Sequence, residues 1–270
     1  MSRIKARFDA LKANGETALI SYVTAGDPHP KQTVSILHAL VEAGTDLIEI
    51  GVPFSDPMAD GPVIQQACER ALKHDTSLAD ILQMVEDFRK DDQHTPIILM
   101  GYQNPIEIYG TERFAKDAKD LVDGVITVDL PPEECVDINQ TYREHGIDSI
   151  FLMAPTTDIS RIRRISEMAS GFLHYVSFKG ITGANSLDID SVSSKLSEIR
   201  AVSELPLAVG FGIKDAETAA AVAAVADAVV VGSAIVSLIA AHQDDMPNAL
   251  KEVKSLLQGI KSALDNAGSI

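Results

Sequence analysis

The chain has 270 residues, 46% of them hydrophobic and 23% charged, and a formal charge of -16. That composition is enough for a large core and excludes a disordered chain. The acidic balance argues against general binding to nucleic acid or anionic membranes, which rests on Lys and Arg patches, so an anionic substrate needs a local site.

The N-terminal stretch "MSRIKARFDALKANGE" has the pattern of an amphipathic helix without a secretory apolar segment. No apolar run approaches the ~20 residues that span a bilayer, which points to a cytoplasmic protein. Cys68 and Cys135 are far apart and lack metal-ligand spacing, which fits a reducing compartment better than a disulfide scaffold. Eight apolar runs then follow in order: "ALISYVTAG", "DLIEIGV", "PIILMGY", "GVITVDL", "SIFLMAP", "FLHYVSF", "LAVGFG" and "AVVVGSAIV". They are rich in Ile, Val and Leu and do not alternate cleanly, as parallel strands covered on both faces should not.

Helix-like segments separate these runs. In "KQTVSILHALVEAG" one stripe holds Val34, Leu37, Leu40 and Val41 and ends at Gly44. The second run is followed by two such segments, "PVIQQACERALKHD" and "SLADILQMVEDFRK". Near the C-terminus Leu250, Val253, Leu257, Ile260 and Leu264 line up. Eight strand–helix units in about 250 residues fit a closed (β/α)₈ TIM barrel, with extra helices at the N-terminus and in the loops. No linker or low-complexity block divides the chain, so residues 1–270 read as one domain. An open doubly wound sheet is the alternative, but the dinucleotide fingerprint is missing after the first strand.

Catalysis on such a barrel belongs at the C-terminal ends of the strands. Glu49 sits there, in the most apolar part of "DLIEIGV", on the strand face shared by Leu47 and Gly51 and assigned to the barrel interior. Burying an unpaired carboxylate costs several kcal/mol, so Glu49 is either the member of a core ion pair or a catalytic acid or base. The long loop after it, "PFSDPMADG", holds Asp56 and Asp60 and reads first as turn chemistry. Glu49, Asp56 and Asp60 together allow a Mg²⁺ reading, but no further ligand cluster supports a metal. Glycines gather at the late strand ends, in "FKGITG", in "GFG" at 210–212 and in "GS" at 232–233 opening a helix. Backbone N–H groups and a helix N-terminus bind phosphate without many basic residues.

The stretch "LIEIGVPFSDPMADGPVIQQA" resembles the signature of the tryptophan synthase alpha chain family. The resemblance extends through "YVTAGDP", "MGYQNPI", "VDLPPEE", "GITGA", "VGFGI" and "VGSAIV" and so spans the barrel. It implies a lyase subunit that splits indole-3-glycerol phosphate into indole and glyceraldehyde 3-phosphate and passes indole to a beta chain, in an α₂β₂ tetramer. No cofactor is implied for this chain, since pyridoxal phosphate belongs to the beta chain. By resemblance Glu49 is the general acid/base and Asp60 the carboxylate facing the indole nitrogen, a division of labour that a retro-aldol cleavage can use. Tyr22, Met100 and Tyr102 match positions that wall the indole pocket, and Asp129 matches a polar residue beside the "PPEE" loop. Thr182 and Gly183 match a mobile loop. Gly183, Phe211, Gly212, Gly232 and Ser233 match a phosphate cradle. Pro53, Asp56, Asn104 and Pro132 match beta-chain contacts. One departure is His174, which stands where the family commonly has a tyrosine beside the glutamate. Two other readings remain: a different phosphosugar barrel with another base, or a binding subunit that activates a partner with little catalysis of its own.

Overall fold

In the computed structural model, which describes residues 2–177, 188–210 and 212–267, parallel strands close into a barrel in the order β1 to β8. They are β1 Ala18–Thr24, β2 Leu47–Gly51, β3 Ile97–Gly101, β4 Gly124–Thr127, β5 Asp148–Met153, β6 Leu173–Val176, β7 Leu207–Gly210 and β8 Ala228–Val231. Each lies within one of the eight apolar runs except β5, which starts one residue earlier at Asp148, and the second half of "AVVVGSAIV" is helical from Ser233. The helices are α1 Arg3–Asn14, α2 Thr33–Glu42, α3 Pro62–Leu72, α4 Leu78–Arg89, α5 Gln103–Tyr109, α6 Thr111–Ala118 and α7 Val136–Glu144. After these come α8 Ile159–Met168, α9 Ile189–Arg200, α10 Ala216–Ala223, α11 Ser233–Ala241 and α12 Met246–Ala267. The extra helices anticipated before β1 and after β2 are present, and the connections after β3 and β8 are doubled as well.

Strand alternation divides the core in two. Inward residues such as Ile20, Leu47, Ile98, Ile126, Ile150, Ala208 and Val230 pack inside the barrel. Their neighbours, including Leu19, Ile48, Ile50, Leu99, Val125 and Val209, pack outward against the helices. Both faces are therefore apolar, which is why the strands read as continuous rather than alternating runs. Helix α1 stoppers the N-terminal end: Ile4, Phe8 and Leu11 join the interior cluster, and the Phe8 ring sits 5.8 Å from that of Phe172.

The buried stripe of α2 is rotated from the predicted one, whereas that of α12 follows it. Helix α2 buries Thr33, Ile36, Leu37, Ala39 and Leu40, whereas Val34 and Val41 are only half-buried. It packs against α4 on one side and α12 on the other, so its buried arc is wider than one stripe and centred nearer Ile36. Helix α12 buries Val253, Leu257, Ile260 and Leu264 as predicted and adds Met246 and Ala249, with Leu250 half-buried. Gly44 takes φ 98°, a left-handed value open to glycine, and its N–H closes the end of α2 on the Val41 carbonyl at 3.0 Å.

A polar clasp ties helices to the N-terminal strand ends. The buried Arg89 guanidinium donates to the carbonyls of Leu121, Asp92 and Thr95 and, at 2.8 Å, to Asp123 Oδ2. Asp123 also accepts from the Ile97 N–H at 2.8 Å and from Arg3 at 3.0 Å. One carboxylate thus joins α1, α4, β3 and the entry to β4.

Candidate active site

Glu49 is the third residue of β2, in register with Tyr22 of β1 and Ile98 of β3, and is 1% exposed. Leu47 on its face packs in the barrel interior while Ile48 and Ile50 pack outside, so the interior assignment holds. Among the described residues no lysine or arginine forms an ion pair with it, which removes the basis for a structural core pair with a fixed cation. Its Oε1 has no hydrogen-bond partner among the described residues, and His174 Nδ1 lies 3.4 Å away. The strand 6 alignment therefore brings His174 beside the glutamate, as the resemblance implied.

Tyr22 is buried, and its phenol lies 3.4 Å from Thr24 Oγ1 and within electrostatic reach of both Glu49 and Asp60. Burial first, with those two carboxylates adding, pushes the phenol well above its ordinary range. The ring leans over Gly51: a Cβ there would stand 2.0 Å from the Tyr22 hydroxyl, so only glycine leaves it room. Tyr22 packs with Ala67 and Val236, and Met100, Val63 and Ile64 complete this apolar wall at the barrel mouth.

Asp60 closes the loop after β2 and is half-buried. Tyr102 donates its hydroxyl to Asp60 Oδ2 at 2.9 Å and accepts from the Ala59 N–H at 3.0 Å. Gln65, one turn into α3, donates from Nε2 to the Asp60 carbonyl at 2.8 Å. Burial raises the Asp60 carboxyl above the usual carboxylate range, and the Tyr102 hydrogen bond partly offsets this. Tyr102 thus holds Asp60 in place, its ring 5.2 Å from Phe54. The roles of Gln65 and Phe54 escaped the sequence reading; Gln65 left a signal in lying five residues past Asp60, at the start of the next helix.

Gly232 precedes α11, and Ser233 is its exposed first residue. A Cβ on Gly232 would lie 3.4 Å from the Tyr22 Cβ, so this helix N-terminus adjoins the apolar wall. Gly212 has φ 78°. Thr182, Gly183 and Phe211 lie outside the described residues. Asp129 is exposed, and its Oδ1 accepts the Gln103 N–H at 2.8 Å, which engages it at the start of α5.

Of the proposed partner contacts, Asp56 and Asn104 are exposed, whereas Pro53 and Pro132 are buried and shape their loops without presenting surface in the isolated chain. Prolines there stiffen the turns from inside. The exposed apolar side chains Met58, Ile108 and Val136, at 78%, 80% and 59%, lie on these same segments and were not singled out from sequence. Cys68 and Cys135 are both buried, and burial pushes the Cys68 thiol up to about 11, leaving it a protonated, unreactive group. No group of three or more His, Cys, Asp or Glu among the described residues could hold a metal ion. None of the described helices is long and apolar enough to cross a membrane.

A family model described as tryptophan synthase alpha chain matches residues 8–265. The tryptophan synthase alpha chain of Thioalkalivibrio sulfidiphilus is 59% identical over 266 residues, covering 98% of this chain and 100% of its own. That of Marinobacter nauticus is 56% identical over 268 residues, covering 98% of this chain and 99% of its own. The crystal structure of the alpha subunit from Legionella pneumophila superposes with a TM-score of 0.92 at 46% identity, covering 98% of this chain and 99% of that one. Barrel, buried glutamate and full-length relatives agree, and this protein belongs to the tryptophan synthase alpha chain family.

Proposed function

We propose that the chain cleaves indole-3-glycerol phosphate into indole and glyceraldehyde 3-phosphate by a retro-aldol reaction, the lyase step of its family in tryptophan biosynthesis. The observation that carries this is a deeply buried carboxylate, Glu49, with no lysine or arginine partner among the described residues, sharing one apolar mouth with a second carboxylate, Asp60, held by a tyrosine. Glu49 moves the protons: it gives one to the ring carbon and takes the side-chain hydroxyl proton as the carbon–carbon bond breaks, which returns it to its starting protonation state. Asp60 balances the positive charge that develops on the indole nitrogen. Tyr22 and Met100 bound the ring. The phosphate is received by backbone N–H groups at Gly212, Gly232 and Ser233, where the α11 dipole favours an anion despite the acidic chain. By resemblance Gly183 and Phe211 complete this cradle, and Thr182 belongs with Gly183 to the mobile loop beside it.

The alpha chain needs no cofactor of its own, and pyridoxal phosphate belongs to its beta-chain partner. We assign the beta-chain contact to the rim carrying Asp56, Met58, Asn104, Ile108 and Val136, in an α₂β₂ assembly built on single-domain alpha chains. Apolar side chains this exposed are costly in water and gain by being covered. Asn104 and Ile108 are four residues apart on α5 and so share one helical face.

The test is to mix purified chain with indole-3-glycerol phosphate, with and without a beta chain, and follow indole. Release that rises with the beta chain is the expected result. Turnover of sugar phosphates with no indole would instead identify another phosphosugar enzyme.

The Asp60 role carries its own pH prediction. The Tyr102 hydroxyl stabilises the ionised carboxylate against the raising effect of burial. Tyr102→Phe removes that donor, so the Asp60 carboxyl rises further and a smaller fraction is ionised on the acid side. The acid limb of kcat/KM should therefore move to higher pH in Tyr102→Phe. An unmoved limb, measured on both proteins across the acid range, would mean that ionised Asp60 does not govern it.

A further inference from the structure

Glu49 and His174 stand on β2 and β6, opposite strands of the ring, and meet across the barrel interior. Alternate strands of such barrels contribute side chains to a common layer, which is how residues distant in sequence come into contact. Both side chains are nearly sealed from solvent, at 1% and 5% exposure, and Glu49 Oε1 is 3.4 Å from His174 Nδ1. Among the described residues neither atom has a hydrogen-bond partner. The imidazole is also oriented from its far side: a Cβ on Gly210 of β7 would lie 2.5 Å from Nε2 and 3.4 Å from Cε1. Glycine at 210 gives the ring its place, with the Nε2 edge toward β7 and the Nδ1 edge toward the carboxylate.

We propose that His174 is a positioning residue for Glu49, donating its Nδ1–H to Oε1 and leaving Oε2 as the oxygen that exchanges protons with the substrate. This rests on Glu49 being the acid/base of the cleavage. A carboxylate in an apolar interior has two equivalent oxygens and a free torsion. A donor on one of them selects the rotamer and fixes where the other points, and misplacement by about 1 Å can cost on the order of 10²-fold in rate. The 3.4 Å separation is long for a finished hydrogen bond, and such contacts commonly tighten when substrate binds. Both protons exchanged in cleavage, the one given to the ring carbon and the one taken from the hydroxyl, pass through Oε2, so His174 neither gains nor loses one.

Three variants test this in the cleavage assay. His174→Phe fills the space without a donor, and kcat should fall about tenfold or more with KM changed less than about threefold. His174→Asn restores an N–H near the Nδ1 position and should recover most of that loss. Full kcat in His174→Phe, or an Asn variant no better than Phe while equally folded, would overturn the proposal. Glu49→Gln run alongside separates the two readings: if it is dead while His174→Phe is normal, only the positioning role fails, and if it cleaves normally, both fail. A measurement that needs no variant is the ¹⁵N spectrum of the His174 imidazole in the intact chain. Protonated Nδ1 supports the proposal, and a bare Nδ1 refutes it.

Discussion

Glu49→Gln should abolish cleavage while leaving the barrel folded. Glutamine matches glutamate in shape, so the interior layer around Ile98 and Tyr22 is not repacked, but an amide neither takes nor supplies a proton at the substrate. Loss of general acid/base catalysis at one group is worth about 10²-fold or more in kcat, which corresponds to roughly 2.7 kcal/mol or more of barrier. Stability should move the other way if it moves at all. No lysine or arginine among the described residues pairs with this carboxylate at 1% exposure, and burying a charge without such a partner is costly. The variant should therefore melt at the parent temperature or above it. Indole release and a thermal melt on the same preparation decide the matter. Near-normal turnover would put the chemistry elsewhere, and a collapsed melt would make Glu49 a structural residue after all.

The second large effect concerns stability at the opposite end of the barrel. Arg89→Met should destabilise the fold by about 3–5 kcal/mol, the usual result of removing one partner from a buried charge pair. Arg89 is 3% exposed, and its loss would strip donors from the Leu121, Asp92 and Thr95 carbonyls and leave Asp123 with Arg3 as its remaining charged partner. Burial already raises the Asp123 carboxyl, opposed by the Ile97 N–H and the two arginines. Without Arg89 it rises further. A folded-state carboxyl raised above its unfolded value contributes stability that is present below the unfolded range and lost as pH rises through the folded one. The deficit of Arg89→Met against the parent should therefore shrink in acid and be largest at neutral pH. Denaturant unfolding at both pH values measures this. Adding Asp123→Leu should recover part of the loss, since an apolar pair can replace a buried ion pair. A variant as stable as the parent at neutral pH would show that the clasp is dispensable. Cleavage should be little altered in whatever fraction remains folded, because the clasp lies at the N-terminal strand ends and the candidate site at the C-terminal ends.

Local chemistry made much of the fold legible. Eight apolar runs separated by helical periodicity could be counted directly, because parallel strands covered on both faces need Ile, Val and Leu throughout. Glu49 stood out for the same reason: a carboxylate inside such a run contradicts its surroundings, and its alternation with Leu47 placed it inside the barrel. The stripe on α2 was less legible. A helix wedged between two others buries a wider arc than its best single stripe, and no local pattern records which neighbours flank it.

Adjacent residues impose strand and helix periodicity, the stop at Gly44, the inward face of β2 and the glycine-rich strand ends on one another, and these are local properties of the chain. Pairings between distant segments belong to the tertiary structure. Tyr102 was readable as an apolar ring, but its hydroxyl on Asp60, 42 residues away, depends on how the β2 loop folds over the start of α5. Pro53 and Pro132 carried the same loop signature as the exposed Asp56, and only packing buried them. Glu49 and His174 lie on strands separated by four positions around the ring. Barrel closure alone sets them face to face, because it turns opposite strands inward onto one layer.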